Sequence, residues 1–173
     1  MNIKYLCLHH SAVSRKVQKY QFDPINRYHK IQFNMLSSLK IWIGYNALVE
    51  PYGELIVCRK DGEETAAVIG HNKDALHICL VGDFNSEWPT QPQINKLKSW
   101  LFEKMKLYGR EVSDIKNHRD LQRYRTCPGV LIPDNWGQIL VSPSALQPLE
   151  QAKKDGLLRI INKPVGILGK VHK

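Results

Sequence analysis

Apolar runs separated by polar turns predict a chain that contains both strands and helices. Four short runs are rich in aliphatic, β-branched and aromatic side chains, which favours strands. These runs are residues 3–9, 41–49, 55–58 and 76–81. In the run at 76–81 only His77 is polar, which is typical of a central strand covered on both faces. A turn at 51–54 predicts a hairpin, and a further short strand is expected at 114–117.

Helical spacing indicates three helices, one of which has clear signals at both ends. Thr90 and Gln93 have the spacing of a capping box, apolar residues then recur at helical intervals, and Gly109 ends the pattern. A shorter helix is predicted from Asp23, an N-cap type of residue that is followed by proline. Another short helix is expected over 133–140. Strands and helices together predict an α/β fold.

Length and composition exclude several classes of protein. A chain of 173 residues is expected to form one domain with a substantial core. No apolar run is long enough for a membrane span, and the stretch after Lys4 is too short for a signal peptide, so we expect a cytoplasmic location in the producing cell. No disulfide framework is expected, since Cys7, Cys58 and Cys79 lie in or near apolar runs and resemble buried free cysteines.

The chain is strongly basic, with 25 Lys and Arg residues against 16 Asp and Glu residues and a net charge of +9. This balance favours an anionic partner such as a nucleic acid, a membrane surface or a cell-wall polymer, although a solvated basic surface explains it equally well. Residues 150–173 lack a clear pattern and are rich in Lys and Arg. We therefore expect a basic C-terminal extension that belongs to, or docks on, a domain formed by residues 1–149.

Two histidines and a cysteine from separate segments are candidates for one metal site. His9 and His10 end the first predicted strand, and His118 and Cys127 follow the last one. Neighbouring side chains in a strand point to opposite faces, so only one of His9 and His10 is expected to bind a given ion. Taken singly, each of these residues is more often a packing or turn residue. Together, two imidazoles and a thiolate can hold Zn²⁺ and leave its fourth position open, as in catalytic zinc sites.

The flanking motifs give these residues a family context. In chain order the motifs are Leu8-His9-His10-Ser11-Ala12, Tyr28-His29, Ile43-Gly44-Tyr45-Asn46, Gly70-His71, residues 78–84, residues 90–93, His118-Arg119-Asp120 and Cys127-Pro128-Gly129. This ordered set, from about Leu6 to Trp136, resembles the type-2 N-acetylmuramoyl-L-alanine amidases. That family includes phage lysozyme-type amidases (endolysins) and peptidoglycan recognition proteins. Each motif alone is weak, whereas the ordered set is specific.

The resemblance implies a fold, a cofactor and a reaction. The fold would be a single α/β domain with a mixed central β-sheet flanked by helices. One Zn²⁺ per chain would be held by His9, His118 and Cys127, since the family uses the first histidine of the strand-ending motif. The implied reaction is hydrolysis of the amide between N-acetylmuramic acid and L-alanine in peptidoglycan, for which bound zinc activates water and polarises the carbonyl.

The resemblance also implies roles for residues around the metal. Tyr45 is a catalytic candidate that would orient the water or donate a hydrogen bond to the developing oxyanion. Arg125 stands where some amidases carry a lysine that stabilises the oxyanion, and it is a second catalytic candidate. His29 and His71 are candidates for substrate binding, although packing roles fit them equally well.

The chain departs from the family pattern at two places. The interval between His118 and Cys127 is one residue longer than usual, which leaves the alignment of Arg125 open. His77 replaces a residue that is usually glycine, and we expect it to lie on a surface without a special role.

The leading hypothesis is a zinc amidase that degrades bacterial cell walls as a phage-type endolysin after its release from the producing cell. Its expected partners are peptidoglycan and anionic cell-envelope polymers, nucleic acid is not required, and a monomer is expected. The alternative is a non-catalytic peptidoglycan-recognition module, but such relatives often lose a ligand and all three are present here. A nucleic-acid-binding or regulatory protein with structural zinc would need a fourth protein ligand, and the motifs offer none.

Overall fold

A five-stranded mixed sheet forms the centre of the fold. The structure is a computed structural model that describes residues 2–123 and 125–141. The strands are β1 Tyr5–His10, β2 Ala47–Val49, β3 Leu55–Val57, β4 Ala75–Leu80 and β5 Ile115–Asn117. Their order is β3-β2-β4-β1-β5, in which β3 runs antiparallel to β2 and all other neighbours are parallel. The predicted basic extension, residues 150–173, lies outside the described residues.

The helices pack on both faces of this sheet. Those within the described ranges are α1 Phe22–Phe33, α2 Gln91–Tyr108, α3 His118–Leu121 and α4 Trp136–Val141. The ends of α2 are as predicted, since Thr90 and Gln93 form the capping box and Gly109 ends the helix at a φ of 61°. The single α/β domain with a mixed sheet and flanking helices is confirmed. No helix in the part of the chain that the structure describes is long and apolar enough to cross a membrane.

The two faces of β1 and β4 are buried in different surroundings. Side chains alternate along a strand, so one set of residues packs with α2 and α4 on what we call the core face. This set is Leu6, Leu8, Leu76, Ile78 and Leu80. Burial of each such side chain stabilises the fold by about 1.5–3 kcal/mol. The other face, which we call the site face, carries Cys7 in register with His77, and His9 in register with Cys79.

The second strand is shorter than the sequence indicates. The apolar run 41–49 predicts one strand, but only Ala47–Val49 pairs with its neighbours. Immediately before it, Asn46 is fixed to the backbone of His77. The Asn46 N–H donates to the His77 carbonyl (2.9 Å), and Asn46 Oδ1 accepts from the His77 N–H (2.8 Å). These bonds take the place of regular pairing and anchor the segment that carries Tyr45 against β4.

The start of α1 also differs from the prediction. Asp23 is not the N-cap, because the helix begins at Phe22 and follows Gln21, whose side chain makes no capping bond. The carboxylate of Glu50 accepts hydrogen bonds from the backbone N–H groups of Gln21 (2.9 Å) and Phe22 (2.8 Å) instead. A carboxylate at this point satisfies free donors and opposes the helix dipole. A residue distant in sequence thus performs the function that the local pattern assigned to Asp23.

Candidate metal centre

The three predicted ligands meet at the carboxyl edge of the sheet. β1 and β5 are parallel, and Leu8 lies beside Asn117, so the next residues, His9 and His118, are brought together. Their ring centroids are 4.7 Å apart. Cys127 reaches the same point from the loop after α3, with its Sγ 3.6 Å from Nδ1 of His9. One donor atom from each of the three residues lies within 4.8 Å of the others.

The donor set fits a zinc ion. Bonds of about 2.3 Å to sulfur and about 2.0 Å to nitrogen at a tetrahedral angle place those two atoms about 3.5 Å apart, close to the observed 3.6 Å between Cys127 and His9. Nε2 of His118 lies 3.0 Å from the side-chain oxygen of Gln122. The amide oxygen can only accept, so Nε2 of His118 carries the hydrogen and Nδ1 keeps a free lone pair. Sequence reasoning did not identify Gln122, although its position four residues after a helical ligand places it on the same helix face.

Burial sets the protonation of the ligands. The pKa of His9 is well below its ordinary value because of burial, with smaller contributions from His77 and His118. Burial also lowers the pKa of His118, so both imidazoles are neutral and have a lone pair to offer. The Cys127 thiol behaves in the opposite way, since burial raises its pKa to about 12. Metal binding at Cys127 must therefore displace a proton.

Arg119 holds the loop that presents Cys127. Its backbone N–H donates to the Cys127 carbonyl (3.0 Å), and its guanidinium donates to the carbonyls of Gly129 (2.9 Å) and Ile132. An ion pair with Asp134 at 2.9 Å completes the clamp. This role of Arg119 was not predicted from the sequence, in which its position directly after a candidate ligand is the available signal. This clamp lets the longer His118 to Cys127 interval fold back to the metal position.

Tyr45 lies beside the candidate ligands. Its ring centroid is 5.0 Å from that of His9 and 5.4 Å from that of His29. Burial raises the pKa of Tyr45 well above its ordinary value, and the neighbouring Cys79 and Cys127 act in the same direction. The phenol is therefore protonated at neutral pH and can donate a hydrogen bond.

His29 packs beside Tyr45, whereas the His71 ring lies against Tyr5 at the start of β1, and neither histidine is in the ligand cluster. His29 is only 6% exposed, and its Nδ1 accepts from the Gly44 N–H at 2.8 Å. This bond supports the segment that carries Tyr45. His71 is half-buried and its Nδ1 lies 3.0 Å from Asp74 Oδ1. Contact of either histidine with substrate remains a prediction.

Arg125 is exposed and belongs to the rim of the site. It lines a shallow surface groove together with Arg119, Thr126, Val130, Ile132, Pro133 and Asp134. Burial raises the pKa of Cys127, and the charge of Arg125 partly offsets that effect. At His118, burial lowers the pKa and the charge of Arg125 lowers it further. The catalytic role of Arg125 remains a prediction.

His77 is not on a surface, contrary to the expectation from the sequence. It is fully buried in β4. It shares the site face with His9, because it is in register with Cys7, which lies two residues before His9 on β1. Nδ1 of His77 lies 3.0 Å from Nε2 of His9. The expectation was wrong because the strand is covered on both faces, so no position along it is left for a surface residue. That both-face pattern was itself the signal for burial of His77.

Fold and site together define a mixed α/β domain with a candidate mononuclear zinc centre at the carboxyl edge of its sheet. The sequence model of the Amidase_2 family, described as N-acetylmuramoyl-L-alanine amidase, matches residues 1–130, and the chain belongs to this family. No curated protein sequence matches the chain.

Solved structures of similar fold include enzymes and recognition proteins. The amidase LysC from Clostridium intestinale is 25% identical, with a TM-score of 0.65 over 77% of this chain and 80% of that chain. The Ph2119 endolysin from a Thermus scotoductus bacteriophage is 26% identical, with a TM-score of 0.62 over 76% and 80% of the two chains. Drosophila PGRP-LB, at 18% identity and a TM-score of 0.63 over 82% of each chain, shares the fold.

Proposed function

We propose that this protein is a zinc-dependent amidase that hydrolyses the bond between N-acetylmuramic acid and L-alanine in bacterial peptidoglycan. The observation that carries the proposal is the convergence of His9, His118 and Cys127, whose donor atoms lie within 4.8 Å of one another. It occurs in a chain that belongs to the amidase family. Three protein ligands leave the fourth zinc position for water or substrate, which is the arrangement of catalytic zinc sites.

The two histidines and the cysteine are prepared for zinc in different ways. When bound, zinc would polarise the scissile carbonyl and bring the pKa of a water molecule close to neutrality. His9 and His118 supply neutral nitrogens, since burial lowers the pKa of both. Cys127 supplies the single negative charge once its proton has left, and Arg119 keeps its loop in place.

Tyr45 and Arg125 are proposed to act on the oxygen of the scissile carbonyl. As that carbon becomes tetrahedral, negative charge develops on the oxygen, and preorganised donors stabilise it. The Tyr45 phenol is protonated because burial raises its pKa, and its ring lies 5.0 Å from that of His9. The exposed Arg125 would add positive charge at the rim of the site but would not exchange a proton near neutral pH.

A non-catalytic recognition module remains the second candidate. The fold is shared with PGRP-LB, a member of the peptidoglycan recognition proteins by name. The complete set of two histidines and one cysteine around one point favours catalysis over recognition alone. Binding of peptidoglycan without any new amino termini would support the recognition module instead.

The biological setting that we propose is that of a phage-type endolysin. Support comes from the likeness to the Ph2119 endolysin at 26% identity. In this setting a monomeric enzyme would accumulate in the producing cell and reach the wall after release. The net charge of +9 would aid adhesion to anionic envelope polymers, and binding to purified sacculi should then weaken as salt is raised.

The decisive experiment is product analysis on purified peptidoglycan with and without a strong chelator. The amidase produces new L-alanine amino termini and no new reducing sugar ends. Cys127→Ser is the matched inactive control, because it removes the thiolate while changing one atom. Activity that survives complete metal removal would contradict the zinc mechanism, and new reducing ends would contradict the proposed bond.

A further inference from the structure

His77 connects the candidate ligand His9 to the backbone that precedes β4. Nδ1 of His77 lies 3.0 Å from Nε2 of His9, and Nε2 of His77 lies 3.2 Å from the carbonyl oxygen of His71. The two side chains are enclosed, with His9 1% and His77 0% exposed. Neither ring can therefore readily exchange these bonds for bonds to water.

The direction of both hydrogen bonds follows from the His71 carbonyl, with which the series of two bonds ends. The His71 carbonyl can only accept, so Nε2 of His77 carries the hydrogen. Enclosure disfavours a charge on either ring, and in a neutral imidazole the second nitrogen is an acceptor. Nδ1 of His77 therefore accepts from Nε2–H of His9. Nδ1 of His9 is then left without a hydrogen, and this is the atom that lies 3.6 Å from Sγ of Cys127.

We propose that His77 is a positioning residue that holds His9 in its Nε2–H tautomer and directs its Nδ1 lone pair at the metal position. The inference rests on the proposed zinc centre. Hydrogen bonding to the far nitrogen of a metal-binding imidazole fixes its orientation and makes it a better donor. A carboxylate, a carbonyl or water usually fills this place. In this chain the imidazole of His77 fills it, and that imidazole in turn donates a hydrogen bond to the carbonyl of His71.

A rival explanation gives His77 a different task. One donor atom each from Cys7, His9 and His77 also lies within 4.8 Å of the others, so these residues are a geometric candidate for a second ion. His9 would need both of its nitrogens free of hydrogen to serve two ions at once. If Nδ1 of His9 faces the proposed zinc, its Nε2 keeps the hydrogen and is a donor to His77. The hydrogen-bonded arrangement therefore needs no unusual protonation state.

Two variants of similar size separate positioning from packing. His77→Asn keeps an acceptor close to the place of Nδ1, whereas His77→Leu has none. Both lose the donor to the His71 carbonyl, so that change is matched between them. In competition with a chromophoric chelator, the full chain of His77→Leu should bind zinc about 10- to 100-fold more weakly than the wild type. His77→Asn should remain within about threefold of the wild type.

The tautomer itself can be observed without zinc. Long-range ¹H–¹⁵N correlation of the metal-free wild type should show His9 and His77 both as Nε2–H tautomers. In His77→Leu, a mixture of His9 tautomers is expected. A purely structural role for His77 would change the stability of the metal-free protein but would leave the tautomer of His9 unaffected.

The outcomes distinguish this inference from the proposed function. Absence of zinc binding by the wild type would overturn the proposed function on which the inference rests. Zinc binding by the wild type, with equal affinities for the Asn and Leu variants, would overturn the inference alone. A second equivalent of zinc that is lost in His77→Leu would also overturn it and would make His77 a ligand. If His77→Leu does not fold, an Nδ1–H tautomer of His9 in the wild type is still sufficient to refute it.

Discussion

His9 and His10 are consecutive residues on one strand, yet they serve opposite faces of the sheet. Both are buried, at 1% and 6% exposure, and burial lowers the pKa of each. On the site face, Nδ1 of His9 points at Cys127, 3.6 Å away. On the core face, Nδ1 of His10 accepts from the backbone N–H of Phe84 at 3.1 Å.

This difference shows that burial and neutrality do not make a histidine a metal ligand. Both rings are neutral, but the Nδ1 lone pair of His10 is already used by the backbone of Phe84. The Nδ1 lone pair of His9 faces the other candidate ligands and accepts no backbone N–H from the described residues. The contrast between the two faces can be tested by making the same substitution at both histidines and by changing groups that belong only to the site face.

The largest effect is expected from His9→Leu. Loss of a ligand removes the zinc-supplied stabilisation of several kcal/mol, so kcat/KM on peptidoglycan should fall by about a thousandfold or more. Zinc affinity, measured by chelator competition, should fall as well. A variant that retained tight zinc binding and most of its activity would show that His9 is not a ligand. Circular dichroism checks that the variant remains folded.

A smaller loss is expected from Tyr45→Phe. This change removes only the hydroxyl that we propose as a donor to the oxyanion, so kcat should fall by about 10²- to 10³-fold. Zinc affinity should be unchanged, because the phenol is not a ligand. Comparison of kcat with KM and with zinc affinity distinguishes a donor to the oxyanion from a residue that supports the metal site. A parallel loss of zinc would mean that Tyr45 supports the metal site and not the reaction.

Zinc affinity should increase with pH on the site face. Burial raises the pKa of the Cys127 thiol to about 12, so between pH 7 and 9 it is protonated in the metal-free protein and must lose its proton on binding. The pKa values of His9 and His118 are below their ordinary value, so these residues release none in that range. Because one proton competes with the metal, the association constant should rise about tenfold per pH unit.

Chelator competition at several pH values between 7 and 9 checks this slope, and titration calorimetry in buffers of different ionisation enthalpy counts the proton that is released. His10→Leu is the matched control, since it leaves the three ligands in place and should retain the same pH dependence. An affinity that does not change with pH would contradict a protonated Cys127 in the metal-free protein.

Local patterns predicted those parts of the fold whose causes are local. The capping box at Thr90 and the glycine at position 109 fixed the ends of α2 as expected. The start of α1 was missed because its N-terminal donors bind Glu50, which is far along the chain. The shortness of β2 was missed for the same reason, since Asn46 bonds to the backbone of another strand. Tertiary contacts of this kind leave no signature in the local sequence.

The candidate site divides in the same way. Strand alternation correctly predicted that His9 and His10 lie on opposite faces of the sheet. The ordered motifs identified the three candidate ligands. The hydrogen bond between His77 and His9 depends on the register of β1 with β4, which the sequence does not specify. The clamp made by Arg119 depends on how the Cys127 loop folds back. Side chains that position the ligands thus emerged only with the structure.

The smallest effect is expected from His10→Leu, the counterpart of the first substitution. The Phe84 N–H loses its acceptor within the core, which should lower the free energy of unfolding by about 1–3 kcal/mol. Zinc affinity should change by less than about threefold, because the contact between His10 and Cys127 comes from the His10 backbone, which the substitution retains. Urea unfolding and chelator competition measure the two quantities. His10→Asn, which keeps an acceptor, should recover much of the lost stability. If His10→Leu instead lost zinc as completely as His9→Leu, the separation of the two faces would be wrong.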